Sequence, residues 1–199
     1  MNISKQASKL ARQVVVIVSV ILLIFGAYLL ANTLSPLLMT PAINPQNNST
    51  TKLITSTEDK ITENRLYIPK IDINLPYSTG DETVMEDGAW WRAPDSGNPK
   101  DGGNFVLSAH RFVMGLTPQQ TLRKSPFYNI NKLVVGDEIT IDYDGERFIY
   151  QIDKIFAVKP DAVEIENRTD QPQLTLYSCT LGGASDGREV IVATPKHKQ

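Results

Sequence analysis

One cysteine and two histidines supply all the thiol and imidazole chemistry available to 199 residues. Cys179 ends the run Leu174-Thr175-Leu176-Tyr177-Ser178-Cys179 and is followed by Thr180-Leu181-Gly182-Gly183. An apolar-rich run that breaks into glycines predicts a strand presenting a sulfur at the rim of a sheet. A lone thiol is either a small buried apolar group or a nucleophile. The second role needs a neighbouring imidazole or cation that favours the thiolate. His110 closes another expected strand, Asn104 to Ala109, in Ser108-Ala109-His110-Arg111. His197 sits two residues from the last position, in Lys196-His197-Lys198-Gln199, and reads as a frayed tail. Arg188, nine positions beyond Cys179, opens the strand Glu189 to Ala193. A guanidinium there can stabilise an oxyanion or hold a substrate carbonyl, with a charge that does not titrate away. Arg111, Arg123, Arg147 and Arg168 are rivals for that role.

The same counts exclude other classes. A single cysteine forbids an intramolecular disulfide framework and any multi-cysteine zinc or iron–sulfur site. With 20 Lys+Arg against 22 Asp+Glu, the chain is not built to neutralise nucleic-acid phosphates.

Three regions must position these groups. Residues 14–31 read VVVIVSVILLIFGAYLLA, without a charge, and no Lys, Arg, Asp or Glu lies between Arg12 and Lys52. As a helix this run covers roughly 27 Å, close to the hydrocarbon thickness of a bilayer. It exceeds the apolar core of a cleaved signal peptide and lacks an A-x-A site behind it. Residues 14–31 are therefore expected to be a transmembrane anchor contacting membrane lipid. Lys5, Lys9 and Arg12 precede the span, so residues 1–13 are expected in the cytoplasm and the rest outside the cell membrane. Residues 32–60, with Pro36, Pro41, Pro45 and an Asn/Ser/Thr run, are expected to be a flexible tether.

Residues 61–199 carry 15 Lys+Arg against 20 Asp+Glu, an acidic outer domain of short strands. Its clearest element is a hairpin, Glu138 to Tyr143 and Glu146 to Tyr150, closed by Asp144-Gly145. Asp-Gly suits a two-residue turn because both central residues need positive φ. That register sets Ile141 against Phe148 and Ile139 against Tyr150, giving one apolar face. Helical signal is thin: Thr117-Pro118-Gln119-Gln120 predicts a capped start, and the helix must stop by Pro126. The fold class is mainly β, a sandwich or barrel.

These residues resemble the sortase family, membrane-anchored cysteine transpeptidases of bacterial cell envelopes. Thr175-Leu176-Tyr177-Ser178-Cys179 resembles the family's TLxTC strand end, Ala109-His110-Arg111 its GHR, and Arg188 in REVIV its arginine strand. Ser125-Pro126-Phe127 through Val135-Gly136-Asp137-Glu138-Ile139 resembles the segment between histidine and hairpin, and the likeness runs from Leu66 to Thr194. Ser178 stands where Thr is usual and Ala109 where Gly is usual. Chain order separates the alternatives: papain-like peptidases place Cys before His, and L,D-transpeptidases place their arginine almost directly after the cysteine.

The resemblance implies a closed eight-stranded β-barrel with its site at one rim. It implies that Cys179 is the nucleophile, His110 the general acid and base, and Arg188 the oxyanion or substrate-positioning group. Ser178 and Ala109 then flank a bound substrate. The implied substrate is an LPxTG-like sorting signal near the C-terminus of a secreted surface protein, cleaved between Thr and Gly. The acyl group passes to an amine of a cell-wall peptide or of a pilin. No second span follows Ile191 and no DPF- or DPW-like lid occupies the tether, which favours a housekeeping anchoring enzyme over a pilin polymerase. No cofactor is required, although Asp81, Glu82, Glu86, Asp87, Asp161, Glu164 and Glu166 admit a calcium reading. Two other functions remain open at this point: a membrane-tethered β-barrel binding module with an inert Cys179, and a cysteine hydrolase without transfer.

Overall fold

The computed structural model describes residues 3–38 and 61–196. Residues 39–60, most of the expected tether, and His197 lie outside the described residues.

The Asp144-Gly145 turn adopts the geometry its residues predict, with φ of 48° and 79°. It joins β6 (Glu138–Tyr143) to β7 (Glu146–Val158) in the expected register, Ile141 against Phe148 and Ile139 against Tyr150. β7 runs well past the hairpin. After a bulge between Ile152 and Lys154 it pairs with β9 (Gly183–Pro195) as far as Val158 opposite Arg188. β9 turns back antiparallel on β8 (Gln173–Thr180), and β8 lies parallel to β5 (Gly102–Ser108).

The other side of the sheet is built from β1 (Arg65–Ile68), β2 (Ile73–Ser78) and β3 (Ala89–Trp91). β1 pairs with β6, β2 with β1, and β3 with both β2 and β5. The β3–β5 pairing closes a ring of eight strands. β4 (Gly97–Asn98) takes the lower part of the β5 edge that β3 takes at its end, so it adds no ninth stave. Closure leaves no long exposed sheet edge.

Period-two alternation sorts the side chains. Phe105, Leu107, Ile139, Ile141, Leu174, Leu176, Ile191 and Ala193 point into the barrel and are fully buried. Phe105 packs edge-on against Tyr77 and Trp91, with centroids 5.4 and 5.2 Å apart. Truncating one of these large side chains to Ala costs roughly 2–5 kcal/mol. The intervening residues Val106, Tyr177 and Val190 point outward and form a second, smaller apolar cluster with Val158, Ile165 and Val192. That outer cluster seats the β7–β8 connection, residues 159–172, on the barrel wall.

Two helices complete the described chain. α2 (Pro118–Lys124) is capped by Thr117, whose hydroxyl accepts the Gln120 amide, and it stops before Pro126 as expected. The Gln120 side chain departs from a capping box: it accepts from the Leu116 amide at 2.9 Å. α1 (Ile3–Leu38) exposes apolar side chains from Val14 to Leu30 and is long and apolar enough to cross a membrane. It continues seven residues beyond Ala31, where the tether was expected to begin. Hydropathy fades there but the helix does not, and its polar side chains donate back to carbonyls of the preceding turn. Asn32 donates to the Tyr28 carbonyl and Ser35 to the Asn32 carbonyl, and Asn32, Ser35 and Pro36 are buried. Pro36 faces Ile71 to Leu75 and Leu122 across a shallow cleft.

Candidate active site

The alternation that fills the barrel also sets the site. Leu174, Leu176 and Ser178 point inward, so Thr175, Tyr177 and Cys179 point outward. On β9, Arg188 is the register partner of Cys179. Directly opposed Cβ atoms lie about 4.5–5.5 Å apart, so the ladder itself brings guanidinium and thiol to one patch of the outer wall. On β5, Val106 and Ser108 point outward, and the alternation carries His110 to the same face just past the strand end. The Ala109 amide donates to the Tyr177 carbonyl at 3.4 Å, and the Phe127 amide to the His110 carbonyl at 3.1 Å.

Cys179, His110, Arg188 and Ala109 thus line one cleft of about 370 Å³, between the barrel wall and residues 160–166. Cys179 is a half-buried free thiol. The structure differs from expectation at Ser178. It is buried, its hydroxyl donates to the Cys179 carbonyl at 3.1 Å, and it faces the barrel interior, not the cleft.

Around this group the electrostatics are layered. Arg188 Nη1 donates to the carbonyls of Ala184 and Gly187, at 2.8 and 3.0 Å, which fixes the guanidinium over the start of β9. His110 Nε2 stands 3.9 Å from a Glu86 carboxylate oxygen, beyond hydrogen-bond range but within Coulombic reach of a protonated ring. Glu86 is itself bound by Lys124 at 2.5 Å, and that bond and the ammonium charge hold its carboxyl below the usual range.

Beneath His110 lies an ion pair of another kind. Arg111 continues the alternation inward, is almost fully buried, and donates to Glu189 at 2.5 Å and to Asn131 at 3.0 Å. Glu189 is the inward-facing neighbour of Arg188, opposite Ser178. One pair therefore ties the residue after the histidine to the residue after the arginine.

Sequence reasoning missed the floor of the cleft, formed by Trp90, Arg92, Glu166 and Tyr177. Arg92 binds Glu166 at 2.9 Å and stacks 4.1 Å over the Trp90 ring, while the Tyr177 hydroxyl donates to Glu166. Burial and the adjacent Glu166 push the Tyr177 phenol up, so it stays protonated as a donor. Burial works against the Arg92 charge, but Glu166 and Tyr177 outweigh it and raise its pKa. Only Tyr177 carried a usable signal: two residues before Cys179 on a strand, it must share the thiol's face.

The rival arginines are engaged elsewhere. Arg147 binds Asp142 at 2.7 Å, Arg168 donates to the Ser96 carbonyl, Arg111 is buried, and Arg123 lines the other cleft. The calcium reading does not fit these residues. Glu166 and Glu86 are committed to cations, Asp81 accepts from Thr83, and no described group of three or more acidic, His or Cys side chains converges to hold a metal.

Closed barrel, outward thiol and cross-strand guanidinium define a β-barrel of the sortase fold, and a Sortase domain family model matches residues 66–196. The chain belongs to the sortase family. It is 27% identical over 146 residues to Sortase SrtE1 of Streptomyces coelicolor, a match covering 63% of this chain but only 38% of that protein. Sortase A from Corynebacterium diphtheriae superposes with a TM-score of 0.59 at 22% identity, over 87% of this chain and 83% of that one. A Clostridium perfringens Sortase D5 transpeptidase matches at 0.55 and 25% identity, over 76% of this chain and 91% of that one.

Proposed function

We propose that the protein is a membrane-anchored cysteine transpeptidase that cleaves a sorting signal and transfers the acyl fragment to an amine. The observation that carries this reading is the shared outward face of Cys179, His110 and Arg188 on one cleft wall. Family membership supports it, and so does an apolar helix suited to holding the domain beside secreted substrates.

In this mechanism the Cys179 thiolate attacks the Thr carbonyl of an LPxTG-like signal. The carbonyl π electrons move onto oxygen, where Arg188 stabilises them. As the tetrahedral intermediate collapses, the C–N bond to Gly breaks and His110 gives its proton to the departing amine. A cell-wall or pilin amine then attacks the thioester, loses a proton to the neutral imidazole, and expels the Cys179 thiolate as the new amide forms. Thiolate and imidazolium are both restored. With Lys5, Lys9 and Arg12 retained inside, the barrel lies outside the cell membrane. Anchoring raises the effective concentration of membrane-proximal substrates without tight binding.

The test is mass spectrometry of a sorting peptide incubated with the full chain, with and without an amine acceptor. Transpeptidation predicts an acyl–amine product that dominates when acceptor is present. Hydrolysed peptide alone, despite saturating acceptor, would identify a hydrolase, and uncleaved peptide a binding module.

A further inference from the structure

A second feature of the catalytic end is apolar. Phe112, Met114 and Leu116 follow His110 at alternate positions and point to solvent; Leu116 is 75% exposed and Met114 51%. Such a loop is ordinarily costly to bury, because its backbone polar groups lose water. Here half of those groups, at Val113, Gly115 and Leu116, are already paired within the protein. The Val113 amide and carbonyl both bond Ser125 Oγ, the Gly115 amide donates to Thr121 Oγ1, and the Leu116 amide to Gln120 Oε1. The Leu116 carbonyl accepts the Tyr28 hydroxyl of α1 at 3.0 Å. Tyr28 lies three residues inside the outer end of the apolar run that closes at Ala31. That is the depth at which tyrosine rings favour the membrane–water boundary.

We infer that the 112–116 loop docks into the outer leaflet of the bilayer that α1 spans, with Leu116 and Met114 entering the headgroup–acyl boundary. Tyr28 fixes the depth, and the pairs already made at Val113, Gly115 and Leu116 reduce the polar desolvation that entering the headgroup region costs the loop. Exposed Arg123, on α2 beside Pro36, adds a cation at the same level for anionic lipid. Strand directions give the orientation: β5 and β8 both run toward the end bearing His110 and Cys179, and the loop leaves from that end. The cleft therefore opens close to the membrane surface. This inference needs α1 in a bilayer and does not depend on the transpeptidase reading.

The experiment uses the full chain with Cys179→Ser, reconstituted in phosphatidylglycerol-containing vesicles. Single cysteines are introduced by Leu116→Cys, Met114→Cys, Leu23→Cys in α1, and Gln171→Cys at the far end of the barrel, each carrying an environment-sensitive fluorophore. Lipids spin-labelled near the headgroup should quench positions 116 and 114 about two-fold or more, while position 171 stays unquenched. Deep-labelled lipids should quench position 23. An unquenched fluorophore at 116 and 114 overturns the inference, including the case where its emission is blue-shifted because residues 39–60 cover the patch. Equal quenching at 171 and 116 also overturns it, as does an unquenched position 23.

Discussion

The two walls of the cleft are positioned by different means. Cys179 and Arg188 belong to a continuous ladder, where backbone register alone sets which side chains meet. His110 stands past the end of β5, on a loop held by the Phe127 amide and by the buried Arg111–Glu189 pair. The ladder wall tolerates side-chain change because its geometry resides in the backbone. The histidine wall depends on side chains, and on an ion pair whose Arg111 Nε finds no partner among the described residues. Buried pairs of this kind add little net stability, and placement of neighbours is a better account of their presence.

The comparison breaks first at the ladder. Arg188→Ala leaves the β8–β9 pairing intact and should lower kcat/KM by about 10²–10³, the usual worth of an oxyanion donor. Arg188→Lys should recover part of this, because charge remains while the planar fork is lost. Peptide-transfer kinetics with circular dichroism as a folding check measures both. An Arg188→Ala enzyme within two-fold of wild type would move the role to Arg92.

The histidine wall gives the second contrast. Glu189→Ala strands a buried guanidinium and should destabilise the domain by about 3–5 kcal/mol in denaturant melts. The paired replacement Arg111→Met with Glu189→Leu removes both charges, so stability should return toward wild type. If the pair places His110, kcat in the double variant stays depressed by about ten-fold with KM little changed, since only transition-state geometry is lost. Full recovery of kcat would assign the pair a purely structural role.

Smaller effects sharpen the outer ring. Tyr177→Phe removes one donor to Glu166, which keeps Arg92, and should cost about 1–2 kcal/mol of stability. Glu86 has its pKa lowered by Lys124, so the folded state binds that proton less readily than the unfolded chain. Its contribution is complete above the unfolded value of about 4.3 and is lost as pH falls through the lower folded value. Glu86→Gln and wild type should therefore differ slightly at neutral pH and converge in acid; a gap that widens on acidification contradicts the assignment.

Much of this arrangement was legible in the sequence because strand physics is local. Asp144-Gly145 dictated its turn, and the hairpin register followed. Thiol and imidazole scarcity narrowed the candidate pair to Cys179 and His110. What stayed hidden depends on long-range pairing. No local signal joins Arg92 to Glu166, 74 residues apart, or Arg111 to Glu189, 78 apart. Hydropathy marked the apolar run but missed that α1 continues to Leu38, because helix persistence there rests on packing and internal hydrogen bonds. Motif likeness suggested Ser178 as a substrate contact, whereas the strand's alternation turns it inward.

The central claim is that Cys179 carries the acyl group while His110 moves the protons. Intact-mass measurement of the full chain, quenched in acid during turnover of a sorting peptide, tests it most directly. The account predicts a thioester adduct with the mass of the peptide's N-terminal fragment, mapped to Cys179. It should disappear on adding amine, be absent in Cys179→Ala, and form far more slowly in His110→Ala. Transfer product formed by the Cys179→Ala chain at the wild-type rate would contradict it outright.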